Sequence, residues 1–199
     1  MFQRVLEILA QDHTEQYLLE VLQPNQAAFE LYKKQGFSIA RSFGVFKLDK
    51  SAYVSKPSAH TVEYVPGLEM HDWKRFSSFQ DFNPSWQNSI DSINAIRDAF
   101  QYAVVRMDNK TVAYGLIDKQ TGDIPQLAVH REYRRKGIAG SIIAALVEST
   151  RGSRVRVINV EDACEEMKLF LHNEGFEQYV SQYEMVLPLH DERDGAFFD

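Results

Sequence analysis

IPQLAVHREYRRKGIAGSII, running from Ile124 to Ile143, decides how the rest of the chain is read. Ile124 to Val129 is an apolar run of strand length, the basic turn Arg134-Arg135-Lys136 follows, and an apolar helix opens at about Gly137. Gly137, Ala139 and Gly140 keep that junction small, so a ligand can approach the backbone closely. The first amide N–H groups of a helix lack internal partners and lie at the positive end of its dipole. A strand running into such a turn is a phosphate cradle.

The rest of the chain limits what such a cradle can serve. Its 199 residues allow one domain and part of another, with 44% apolar and 25% charged residues, as in ordinary globular proteins. A net charge of −6 leaves no wide basic field beyond this one turn, which argues against nucleic acid as a partner. The single cysteine, Cys164, excludes an internal disulfide. No apolar run reaches transmembrane length, and MFQRVLEILAQDH lacks the apolar stretch of a secretory signal. These features predict a cytoplasmic protein with no membrane association and no metal site.

Taken in order, residues 1–50 predict a helix, a strand, a helix and two strands. Phe2, Val5, Leu6 and Leu9 share one helical face, Tyr17 to Leu22 is strand-like, and Asn25 is placed to cap a second helix that ends near Gly36. GFSIARSFGVFKL then reads as two short strands around Ser42 to Gly44, and residues 51–59 as a linker. Thr61 to Val65 is a strand, and Glu69 to Phe79 and Trp86 to Phe100 are helical. Gln101 to Met107 and Thr111 to Asp118 form a hairpin across Asp108-Asn109-Lys110. After the opening stretch come a strand (Arg154 to Val160), a helix started by the capping-box spacing of Asp162 and Glu165, and two strands, FEQYV and YEMVLPL. Residues 190–199 form an acidic tail in which Phe197 and Phe198 suggest docking.

The spacing Arg134-x-x-Gly137-x-Ala139 resembles the R/Q-x-x-G-x-G/A acyl-CoA signature of the GNAT acetyltransferases, and QLAV resembles their fourth strand. The element order over residues 60–189 is similar to theirs as well. The resemblance implies an α/β GNAT fold: a mixed, mostly antiparallel sheet flanked by helices, acting as an N-acetyltransferase from acetyl-CoA to an amine of a small molecule or protein. An internal repeat extends it. Shifted by 139 residues, Val21 falls on Val160, Gly36-Phe37 on Gly175-Phe176 and Leu48 on Leu187. Residues 1–50 are therefore expected to be the back half of a second GNAT domain without a CoA loop. An unpaired sheet edge in such a half predicts packing on the complete domain or a homodimer through residues 1–50.

By position, the resemblance implies that pantetheine runs along the backbone of Leu127, Ala128 and Val129. The pyrophosphate would lie on Arg134, Arg135, Lys136, Gly137, Ile138, Ala139 and Gly140. The acceptor pocket is expected between the first two helices, floored by Phe82 and Trp86, with Asp72, Asp81 or Asp91 attracting an amine. Transfer needs an uncharged amine, an oxyanion stabiliser and an acid for the thiolate. In many family members that acid is a tyrosine four residues before the Gly-Phe of the last helix. Tyr32 holds that place in the first fifty residues, beside the matching Asn25, but the complete domain has Leu171 there and Cys164 at the asparagine position. Tyr183 and His172 are substitute acids, His130 and Asp123 substitute bases, and Cys164 at a helix start could have a lowered pKa. Three readings stay open: another residue serves, water serves, or the domain binds acyl-CoA or a protein partner without turnover.

Overall fold

Two long apolar runs, Phe100 to Met107 and Lys110 to Asp118, have both faces buried, one against each of two core clusters. The computed structural model describes residues 2–12, 14–56 and 60–189, so Pro57 to Ala59 of the expected linker and the expected tail 190–199 lie outside it. In chain order the elements are α1 (Phe2–Gln11), β1 (Gln16–Leu22), α2 (Gln26–Lys34), β2 (Ser38–Asp49) and β3 (Glu63–Val65). Next are α3 (Met70–Phe76), α4 (Ile90–Ala95), β4 (Phe100–Met107), β5 (Lys110–Asp118), β6 (Asp123–Ile124) and β7 (Gln126–Val129). The last four are α5 (Ile138–Ser149), β8 (Arg154–Glu161), α6 (Glu165–Asn173) and β9 (Glu177–Pro188).

The chain is cut at Ser42/Phe43 and at Val180/Ser181 into two compact units: Phe43–Val180, and the segments on either side of it. The cuts fall inside β2 and β9.

Within Phe43–Val180, β3-β4-β5-β7 is an antiparallel sheet, and β9-β2-β8-β6 is a second sheet in which β6 and β8 run parallel. Asp108 and Asn109 both have φ near +60°, as a two-residue hairpin turn between β4 and β5 requires. Side chains alternate across the strands. Ala103, Val105, Ala113 and Ile117 face a core completed by Ile138, Ile142 and Leu146 of α5, Phe46 and Leu48 of β2, Leu171 and Phe176. Tyr102, Val104, Tyr114 and Leu116 face the opposite way, onto Trp73, Phe76, Phe79 and Ile93. In the other unit β1 pairs antiparallel with β9, and Val21, Phe37 and Met185 form the centre of a small core. There Arg41 holds the buried Glu184 carboxylate through contacts of 2.6 and 3.0 Å.

The element boundaries carry the 139-residue offset: Ser38–Asp49 lies over Glu177–Pro188, and Gln26–Lys34 over Glu165–Asn173. The pairings carry it too. Val21 faces Tyr183 and Leu22 faces Gln182, while Val160 faces Gly44 and Glu161 faces Phe43. Under that offset these are the same two pairs, β1 with β9 and β2 with β8.

Several expected boundaries are corrected. Ser42 to Gly44 is not a turn, and β2 is one strand. A Cβ on Gly44 would lie 2.9 Å from the Phe46 ring, and the register slips between Gly44 and Phe46, so the glycine marks a bulge. FEQYV and YEMVLPL are likewise one strand, β9. The helix expected over Trp86 to Phe100 is α4 between two 3-10 turns, and that over Glu69 to Phe79 is α3 followed by one. The residue that caps α6 is Cys164, with no side-chain cap hydrogen bond, in place of the expected capping box. Ile124 to Val129 is two strands in two sheets. Pro125 has no N–H to extend a ladder, so Ile124 pairs with Val157 while Gln126 crosses to Leu116.

Candidate active site

That change of sheet opens a fork. From Pro125 onward β7 parts from β8, and a cleft of about 530 Å³ lies between them, closed by the start of α5, one face of α6 and the loop from Phe79 to Asn88. One edge of β7 pairs with β5, and its other edge faces the cleft. The His130 N–H donates to the Val112 carbonyl at 2.8 Å, and antiparallel bonding alternates from there. Ala128 is therefore bonded to Tyr114, and the N–H and C=O groups of Leu127 and Val129 point into the cleft. This corrects one expected contact: the polar backbone groups of Ala128 are not free for a ligand.

At the far end of β7 lies the cradle. Arg135 and Gly137 have φ of 60° and 81°, which turns successive N–H groups toward one point. The first bonded amide of α5 is Ser141, whose N–H donates to the Gly137 carbonyl. Among the described residues the N–H groups of Ile138, Ala139 and Gly140 have no acceptor, and all three residues line the cleft. Arg134 is already engaged. Its guanidinium donates to Asp81 at 2.7 Å, the Val129 carbonyl at 3.0 Å and the Phe79 carbonyl at 2.8 Å. It is a brace, whereas Arg135 is exposed and lines the cleft. Lys136 donates to the Glu132 carbonyl, and its own carbonyl accepts from His60.

A polar wedge holds the fork open, and nothing in the sequence singled it out. Asn88 Nδ2 donates to the Ile158 carbonyl on β8 at 3.1 Å, and its main-chain carbonyl accepts from Gln126 Nε2 on β7 at 2.6 Å. Gln80 and Tyr114 both donate to Gln126 Oε1. Burial raises the Tyr114 hydroxyl far above its ordinary pKa, so it stays a donor. Beside them Asn159, left-handed at φ 59° within β8, donates to Ser85 at 2.6 Å. A non-glycine residue held there costs of the order of 1 kcal/mol, which the wedge must offset.

The proposed acids and bases lie elsewhere. Asp123 is locked to Arg156 by contacts of 2.6 and 2.8 Å, and His130 packs between Phe79 and Tyr133 while accepting from the Glu132 N–H. Tyr183 belongs to the other compact unit, against Phe29. His172 packs edge-on against Phe46. Of the acceptor residues, Phe82 lines the cleft, whereas Trp86 is 46% exposed and does not. Asp81 is bound to Arg134. Leu171 is fully buried in the core, and the face of α6 toward the cleft is Glu166, Met167, Phe170 and Asn173. The missing tyrosine is therefore a matter of core packing here, just as Tyr32 packs on Phe37.

Burial, and secondarily the Asp81 and Glu166 carboxylates, raise the Cys164 thiol above its ordinary pKa, against the lowering expected at a helix start. Alkylation by iodoacetamide at pH 7.5 should run slower than for free cysteine, with a rate midpoint shifted to higher pH. A midpoint below that of free cysteine would contradict this.

Residues 69–186 match the acetyltransferase (GNAT) domain family, more than half of the chain. The chain belongs to this family. GNAT domains use an acyl-CoA as co-substrate and pass its acyl group to an acceptor amine. Among solved structures, a GCN5-related N-acetyltransferase from Kribbella flavida is similar over 97% of this chain and 76% of its own, at 14% identity and a TM-score of 0.67. A tandem GNAT protein from the clavulanic acid biosynthesis pathway is similar over 96% and 69%, at 13% identity and 0.63. A functionally unknown conserved protein from Staphylococcus epidermidis ATCC 12228 is similar over 94% and 79%, at 14% identity and 0.61. At such identities the likeness is one of fold. No curated protein matches the sequence.

Proposed function

We propose that this GNAT protein transfers an acetyl group from acetyl-CoA to an amine of a small molecule or protein. The observation that carries the reading is the cleft itself: outward backbone groups at Leu127 and Val129, leading to three amides at the start of α5 with no acceptor. A pantetheine arm needs the first, and a pyrophosphate needs the second. In the transfer the neutral amine attacks the thioester carbon, the C–N bond forms, the C–S bond breaks, and the amine proton leaves as the thiolate is protonated. Tyr133 and Glu166 line the cleft and can exchange protons, and water can do the same. The location of Tyr183, His130 and Asp123 outside the cleft favours a second reading, a module that binds acyl-CoA without turnover.

Calorimetric titration of acetyl-CoA tests the reading, with Gly140→Asp as control. A Cβ at Gly140 would lie 3.5 Å from the Glu174 carboxylate, in ordinary contact, and the helix dipole at the first turn of α5 partly offsets the added negative charge, so the variant should fold. Its carboxylate would occupy the cradle and repel phosphate. Wild-type binding weakened about a hundredfold or more in the variant is the expected result, on the scale of a buried charge-assisted contact replaced by repulsion. No binding by the wild type would overturn it. Amine-dependent release of free thiol then separates enzyme from binding module.

We infer in addition that residues 1–50 are the back half of a second GNAT domain. The shared 139-residue offset and the matching strand pairs support this.

A further inference from the structure

At the start of β8 a second cavity, of about 400 Å³, lies on the face of the sheet turned away from the main core. Val155 and Val157 point into that core, so Arg154 and Arg156 point the other way and line the cavity. Lys47 of β2 pairs with Arg156 in the ladder and lines the same cavity. None of the lining residues is shared with the cleft beside β7, and none carries a carboxylate.

Two cations side by side on neighbouring strands repel one another, and a third two residues along adds to the cost. The protein offsets only part of it. Asp123 holds Arg156 through Nε and Nη2 at 2.6 and 2.8 Å, which leaves Nη1 with no partner among the described residues. The Lys47 ammonium lies 4.4 Å from the centre of the Tyr179 ring and pairs with no carboxylate among the described residues. Asp49 is opposite Arg154 in the ladder, yet the Arg154 side chain makes no ion pair or hydrogen bond among those residues.

The walls around these cations are rigid. The turn 119–122 between β5 and β6 presses on the loop 150–153 before β8. A Cβ on Gly122 would overlap the Arg154 carbonyl, and one on Gly152 would lie 3.1 Å from both that carbonyl and the Thr121 carbonyl. Thr150 Oγ1 donates to the Asp118 carbonyl at 3.2 Å, and the Arg156 N–H donates to the Gly122 carbonyl at 2.9 Å. The hollow is therefore preformed, and its volume is that of a small-molecule site. Three cations, one of them offset by Asp123, match a dianion better than a single carboxylate. Guanidinium forks and an ammonium together suit the several oxygens of a phosphate. We propose that this cavity binds a small phosphate-bearing ligand, at a site separate from the cleft beside β7. The inference does not depend on the acetyl-CoA reading.

The test is calorimetric titration of inorganic pyrophosphate into Gly140→Asp, in which the cradle of α5 is blocked. Binding is expected there, and adding Lys47→Gln and Arg154→Gln should weaken it about tenfold or more, the scale of a lost charge-assisted contact. Arg156 is kept, because its loss would strand Asp123. If the triple variant does not fold, the backbone amide resonances of Thr121, Gly152 and Ser153 in 15N-labelled Gly140→Asp decide. They should move with pyrophosphate. Absence of binding, affinity unchanged by the two added substitutions, or resonances that stay in place would overturn the inference. So would citrate binding more tightly than pyrophosphate, since the cavity is then a carboxylate site. Failure of acetyl-CoA to bind the wild type would defeat the reading of the β7 cleft and leave this result standing.

Discussion

A chain that begins at residue 51 is expected to be insoluble or unfolded, although the family match begins only at residue 69. Such a chain lacks β2, which covers β8 from Arg154 to Glu161 and brings Phe46 and Leu48 into the main core. Phe46 is fully buried. Phe46→Ala alone should cost about 3–5 kcal/mol, and losing the whole strand also bares the ladder of β8. The pairing of β9 with β1 is lost at the same time. Size-exclusion chromatography and thermal unfolding of residues 51–199 beside the full chain check this. A monomeric 51–199 with a cooperative transition near that of the full chain would show that these strands are dispensable.

Arg134→Leu should both destabilise the protein and abolish acetyl-CoA binding, while Arg135→Ala should leave the fold intact and weaken binding a few fold. Arg134 is a quarter exposed and supports three acceptors, one of them the Asp81 carboxylate. Leucine leaves those acceptors in a partly buried place with nothing to bind, a loss of about 3 kcal/mol or more. It also unties the phosphate turn from Phe79 and Asp81, so the edge of β7 and the cradle lose their fixed relation. Arg135 has no partner among the described residues and stands at the cleft, so its removal deletes one solvent-screened charge. Melting curves and calorimetry on both variants decide the assignment. Arg134→Leu with an unchanged melting temperature would mean the brace is not needed, and a larger binding loss in Arg135→Ala would reverse the two roles.

What the sequence made legible follows a simple physical division. β7, its turn and α5 are contiguous, and their signals of apolar run, basic turn and small residues are local, so Gly137 and Ala139 stood out. The hairpin at Asp108-Asn109 was legible for the same reason. A strand's pattern tells which faces are buried and not which strand lies beside it, so nothing in SIARSFGVFKLD announced β8 as its neighbour. Leu171 could be aligned with a catalytic position, yet the face of α6 that meets the cleft depends on how that helix packs. Asn88 falls inside a stretch that reads as helix, and only the convergence of Ile158 and Gln126 on it reveals a wedge.

The long-range strand pairings set an order of events for a chain made from one end. β1 finds its partner in β9, some 160 residues later, and β2 waits for β8, more than a hundred residues on. At about 5–20 residues per second of synthesis, β1 spends on the order of ten seconds or more with an open edge after it emerges. Contacts so distant in sequence also close slowly. For that interval the apolar run Tyr17 to Leu22 and the aromatic side chains of Phe29, Phe37 and Phe43 belong to a segment that has been made and cannot yet be finished. The newborn chain therefore carries an unpaired sheet edge until β9 has been made.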